Sequence, residues 1–177
     1  MCGIVGYVGK SDRTVHVLLR GLERLEYRGY DSAGIAIFKD HHVDVVKKTG
    51  KLDCLKSYVD PEWKTEIGIG HTRWATHGSA NQENAHPHQV GKVTAVHNGI
   101  IENMDEIKKE LLQANVVFRS DTDSEVLVAL LNRIYEKCGN MLMAIEKTMK
   151  KVVGSYAVAL LCEDDEEHMY VMKKDSP

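Results

Sequence analysis

Segments that read as strands come in groups along this chain, and so do the amphipathic helical stripes; a strict alternation of strand and helix is missing. That clustering predicts an α+β layered fold with largely antiparallel sheet, because parallel sheets need a crossover, usually helical, between successive strands. The predicted strands cover residues 3–9, 33–38, 42–48, 66–70, 92–97, 116–118, 155–162 and 168–172. The first, rich in Ile, Val and Gly, reads as buried on both faces. A helix capped by Ser11 or Asp12 carries Val15, Leu18, Leu19, Leu22 and Leu25 on one stripe, and further helices are predicted at 51–58, 104–113, 123–136 and 141–150. The polar stretch 71–91 has little periodicity, and long ordered loops of this kind usually carry function.

With 177 residues, 43 % of them hydrophobic, the chain suffices for one domain with a real core. Its net charge of −3, with Lys and Arg scattered among Asp and Glu, leaves no basic field, so nucleic acid is not an expected partner. Cys2, Cys54, Cys138 and Cys162 form no Cys-x-x-Cys pair and no secretory leader precedes them, which fits a reducing cytoplasm. The longest apolar run, near 156–161, is too short to cross a bilayer, so no membrane partner is expected. The chain stops directly after a predicted strand, which reads as an excised fragment.

Cys2 is the most reactive candidate. If Met1 is removed, one residue holds a thiol and a free α-amine, which titrate near ~8.5 and ~7.7–8.0 in unperturbed form. Nucleophile and base then sit on one residue, as in the N-terminal threonine nucleophiles, and no catalytic histidine is needed. The plainer alternative is that Cys2 is simply a small residue that permits trimming of the initiator Met.

Three polar clusters stand at predicted strand or loop ends: 28–34, 71–78 and 97–99. Gathered around the first strand, they would supply the parts of an acyl-transfer centre. Asn98 can donate a side-chain N–H and Gly99 a backbone N–H to a developing oxyanion; Asn-Gly is equally a common hairpin-turn dipeptide. Arg73 offers a planar fork for a carboxylate, or else a solvated charge. Asp123 can receive an ammonium group, but it also stands where a helix N-cap belongs. The histidines, His86-Pro87-His88 included, lack the spacing of a metal site, and no Gly-rich phosphate loop is present; no metal or other cofactor is expected.

Taken in order, residues 1–6, 25–34, 71–78, 84–88, 97–103 and 122–125 resemble the glutaminase domains of the glucosamine-6-phosphate synthase family, within the N-terminal-nucleophile (class II) glutamine amidotransferases. The resemblance implies a four-layer αββα sandwich of antiparallel sheets, truncated at its C-terminal end. It implies one incomplete glutaminase domain over 1–177, with the sugar isomerase domain absent. Cys2 then corresponds to the nucleophile, Asn98 and Gly99 to the oxyanion hole, and Arg28 to a residue holding the nucleophile's end of the site. Arg73 corresponds to the residue that grips the substrate carboxylate, with Thr76 and His77 lining that pocket; Trp74 falls in the loop that closes over glutamine, and Asp123 receives the α-amino group. The implied partners are L-glutamine, fructose 6-phosphate through the missing domain, and a second copy of the full-length enzyme. Two alternatives stay open: the glutaminase domain of amidophosphoribosyltransferase, and a glutamine-binding fragment without turnover.

Overall fold

The computed structural model describes residues 2–10, 13–74 and 79–176. In chain order these form β1 (Gly3–Val8), α1 (Thr14–Leu25), a 3-10 turn (Glu26–Arg28), β2 (Ser32–Lys39), β3 (His42–Thr49), α2 (Leu52–Lys56) and β4 (Ile67–Arg73). There follow β5 (His88–Val90), β6 (Val93–Ile101), α3 (Met104–Gln113), α4 (Asp123–Cys138), α5 (Met141–Lys151), β7 (Gly154–Cys162) and β8 (Asp165–Lys174). The strands make two four-stranded sheets, ordered β1-β4-β2-β3 and β5-β6-β7-β8, and every pairing is antiparallel.

Period-two alternation sorts the apolar side chains into three layers of core. Ala33, Ile35 and Ile37 of β2 meet Val15, Leu18 and Leu22 of α1 on one outer face. On the opposite face of that sheet, Ala36, Phe38, Ile67 and Ile69 pack against Val96, Ala159 and Leu161 of the second sheet. Residues 93, 95, 156, 158 and 160 turn outward to α3, α4 and α5. The architecture is therefore helix, sheet, sheet, helix, as the resemblance implied. Leu18 and Leu22 are fully buried, and truncating either to Ala is expected to cost about 2–5 kcal/mol. The β2–β3 hairpin turns through Asp40 and His41, both left-handed at φ 51° and 66°, which suits a two-residue loop between right-twisted strands.

Several expectations need correction. β1 is not buried on both faces: it lies at a sheet edge, and Val8 is 49 % exposed. Residues 116–118 form no strand; Val116 and Phe118 pack on the α3–α4 core while Val117 turns to solvent, so packing rather than strand pairing accounts for their apolar character. The stretch 71–91 is less irregular than its composition suggested, since β4 runs on to Arg73 and β5 begins at His88. Asn98-Gly99 is no hairpin turn but lies inside β6, paired with Ala157 and Tyr156. The helix cap assigned to Ser11 or Asp12 lies outside the described residues.

Candidate functional site

The inter-sheet layer changes character along its strands. On β4 the same face carries Ile67, Ile69, His71 and Arg73 in succession, and on β6 it carries Val96 and then Asn98. Ile4 of β1 belongs to the apolar part, and Cys2, two residues before it, to the polar end. The last side chains of the sandwich core are thus the first of the site, held by strands rather than by loops.

Cys2 is anchored there. Trp74 N–H donates to its Sγ at 3.4 Å, and the sulfur lies 3.8 Å from Trp74 O. Burial pushes the thiol's pKa up; the Trp74 N–H and the Arg73 charge oppose that shift. Asn98 Nδ2 donates to Cys2 O at 3.1 Å, and Asn98 Oδ1 lies 2.9 Å from His71 Nε2. Because an amide nitrogen carries two hydrogens, Cys2 O uses only one of them. Gly99 has φ +133°, and a Cβ there would sit 2.1 Å from Ser155 O, so only glycine fits.

Asp123 is not the helix cap. Thr122 caps α4, its Oγ1 accepting from Glu125 N–H at 3.2 Å, and Asp123 Oδ2 instead accepts from Ile101 N–H at 2.9 Å. This ties the carboxylate to the end of β6. Arg73, 4 % exposed, donates from Nη1 to Ser79 O at 3.3 Å. Cys2, Arg73, Trp74, Asn98, Gly99 and Asp123 all line one cleft of ≈ 440 Å³, roomy enough for a small polar metabolite.

Arg28 is not in that cleft. It borders a second hollow of ≈ 380 Å³ on the far side of Cys2, and its Nε donates to Tyr27 Oη at 3.0 Å. Trp74 is 45 % exposed and meets Tyr30 edge-on, ring centres 5.3 Å apart. Thr76 and His77 lie outside the described residues.

A group of buried histidines went unassigned in the sequence: His86 and His97 line the cleft, while His71 and His88 do not. His71 and His86 stack at 4.1 Å, and His86 Nε2 and His97 Nδ1 both lie 2.8 Å from Ser124 Oγ. Burial drives His86 and His88 well below the usual imidazole range and holds His71 at about 3. Burial lowers His97 as well, opposed by Asp123. Among the described residues no three His, Cys, Asp or Glu side chains are placed to hold a metal ion. His86 reaches this position because β2 presents Gly34 to it: a Cβ there would lie 2.2 Å from His86 O. Lys47, paired with Gly34 across the hairpin, donates to Ala85 O at 2.7 Å and fastens the same segment. Strand alternation alone would have pointed to His71, two residues before Arg73 on one face.

The chain is similar to known proteins in both sequence and fold. Along its whole length the chain is 49 % identical to glutamine–fructose-6-phosphate aminotransferase (isomerizing) of Geobacillus kaustophilus and 50 % identical to that of Oceanobacillus iheyensis. It spans about 30 % of the length of these relatives. Among solved structures it resembles the glutamine phosphoribosylpyrophosphate amidotransferase of B. subtilis, with TM-score 0.77 and 24 % identity, over 92 % of this chain and 35 % of that one. An allosteric regulatory enzyme of purine biosynthesis matches with TM-score 0.78 and 25 % identity, over 92 % and 36 % of the respective chains. Residues 71–176 match the model of the glutamine amidotransferase domain, and the chain belongs to that family.

Proposed function

We propose that this chain releases ammonia from L-glutamine through a thioester on Cys2. Once Met1 is removed, the Cys2 α-amine takes the thiol proton and the sulfur attacks the side-chain amide carbon. The tetrahedral oxyanion receives hydrogen bonds from Asn98 and from the Gly99 N–H. The carbon–nitrogen bond then breaks, the amine's proton goes to the leaving nitrogen, and ammonia departs. Water, deprotonated by the same amine, attacks the thioester and frees glutamate and the thiol. Because burial keeps the Cys2 thiol protonated at neutral pH, the reaction needs a base close at hand, and the residue's own amine supplies one.

The observation that carries this reading is the shared cleft. Cys2, Arg73, Asn98 and Asp123 all line it, so a guanidinium that could hold a carboxylate and a carboxylate that could hold an ammonium share one space with the thiol and an amide donor. Thr76 and His77 would complete the carboxylate pocket, Trp74 would cover it, and Arg28 would support Cys2 from behind.

In the longer enzyme the ammonia would pass to fructose 6-phosphate in a separate sugar domain, residues 1–177 forming the glutaminase part of a cytoplasmic homo-oligomer of amino-sugar synthesis. The 49–50 % identity to glutamine–fructose-6-phosphate aminotransferases, against 24 % to the phosphoribosylpyrophosphate amidotransferase, favours that acceptor over a phosphoribosyl one. Among the described residues no helix is long and apolar enough to cross a membrane. The test is direct: purified protein incubated with L-glutamine should release equimolar ammonia and glutamate, and Cys2→Ala should release neither. Ammonia release that survives Cys2→Ala would contradict the reading.

A further inference from the structure

We infer that His71 is a positioning residue that sets which end of the Asn98 amide faces Cys2; the inference rests on the amidase reading above. The argument begins from a backbone carbonyl. His71 Nε2 lies 3.2 Å from His97 O, which can only accept, so Nε2 carries the hydrogen. The same N–H is 2.9 Å from the Asn98 side chain, so the atom there must be the amide oxygen. The amide nitrogen is thereby turned toward Cys2, and it lies 3.1 Å from Cys2 O, a second carbonyl that can only accept. Two backbone carbonyls, one within β6 and one just before β1, thus agree on one orientation.

The ring is held for that purpose. His71 has no exposed surface, stacks on His86 with 27° between the planes, and its Nδ1 has no hydrogen-bond partner among the described residues. With Nδ1 bare and burial disfavouring the charged form, the ring keeps one neutral tautomer over the working pH range. His71 does not line the cleft, so it acts on substrate only through Asn98.

Steady-state glutamine hydrolysis tests the assignment in three proteins: wild type, His71→Leu and His71→Gln. Losing one of the two hydrogen bonds that fix the amide should lower kcat about tenfold in His71→Leu, with KM within about twofold. Gln can place an N–H near the Nε2 position, and His71→Gln should recover kcat to within about threefold of wild type. Equal losses in both variants, or a KM rise matching the kcat fall, would overturn the positioning role. A second measurement needs no turnover: imidazole ¹⁵N shifts should show His71 neutral and protonated on Nε2, and His71→Leu should speed exchange of the Asn98 side-chain N–H protons. An Nδ1-protonated ring, or unchanged Asn98 exchange, would sink the inference even if hydrolysis were seen. An absence of glutamine hydrolysis in the wild type, with the ¹⁵N result as expected, would instead fault the amidase reading alone.

Discussion

The backbone N–H of Trp74 points at the Cys2 sulfur from 3.4 Å, so the residue that follows β4 sets the position of the residue that precedes β1. β1 and β4 are hydrogen-bonded neighbours, with Gly3 opposite Thr72, which makes this a local consequence of sheet register. The thiol is nonetheless not activated by its surroundings, since burial outweighs the Trp74 and Arg73 contributions and raises its pKa. Alkylation of Cys2 by iodoacetamide, followed by peptide mapping, should therefore keep accelerating beyond pH ~8.5, where an unperturbed thiol is half ionised. A thiolate stabilised by its site would level off below about pH 7.

Gly99 offers the sharpest prediction about stability. Its φ of +133° and the 2.1 Å approach of Ser155 O to any added Cβ mean that Gly99→Ala must shift β6 away from β7. Strain of this kind costs about 1–3 kcal/mol before any clash, and the urea midpoint should fall accordingly. An unchanged midpoint would show that the strand can adapt where the geometry says it cannot.

The two ends of the cleft should separate kinetically. Asn98→Ala removes a donor needed chiefly as charge builds on oxygen, and kcat should drop by roughly 10²–10³ with a modest change in KM. Asp123→Asn keeps an acceptor for the Ile101 N–H but loses the charge that would meet the substrate ammonium. Its KM for glutamine should rise about 10–100-fold, the worth of one charge-assisted hydrogen bond, while kcat changes far less. A reversal of this pattern in steady-state kinetics would exchange the two roles.

The buried histidines predict a specific acid sensitivity. His71, His86, His88 and His97 are neutral when folded, burial holding each below its unfolded value near ~6.5. Below that pH the unfolded chain binds the extra protons, so stability falls as pH falls; above it the curve is flat with respect to these groups. Each histidine should contribute a slope of up to about 1.4 kcal/mol per pH unit, continuing toward pH ~3 for His71, and urea melts between pH 8 and 4 would measure the sum. A midpoint that held steady down to about pH 5 would mean the cluster is hydrated or already charged.

Much of this arrangement was legible in the sequence because it follows strand periodicity. Clustered strands predicted the antiparallel layers, and Leu18 and Leu22 marked the face of α1 that covers the first sheet. What periodicity cannot supply is which strand lies at an edge: the apolar run of β1 reads as a buried strand, although its outer side is open. It also could not tell whether Asn98-Gly99 bends the chain or stays in a strand: glycine tolerates φ +133° in either setting, and only pairing with β7 decides. Asp123 was ambiguous for a similar reason, because Thr122 and Asp123 can both cap a helix and the choice depends on the Ile101 N–H arriving from another element. His71 was visible as a residue but not as a partner of Asn98, since the two are joined only when the sheets stack.

Rapid acid quenching after mixing with L-glutamine, followed by mass analysis of the N-terminal peptide, examines the chemistry of Cys2 itself. A γ-glutamyl group should appear on Cys2 of protein lacking Met1, and it should be absent from protein in which Met1 is retained. Ammonia released at full rate by protein that still carries Met1, or with no glutamyl group ever found on Cys2, would contradict the account.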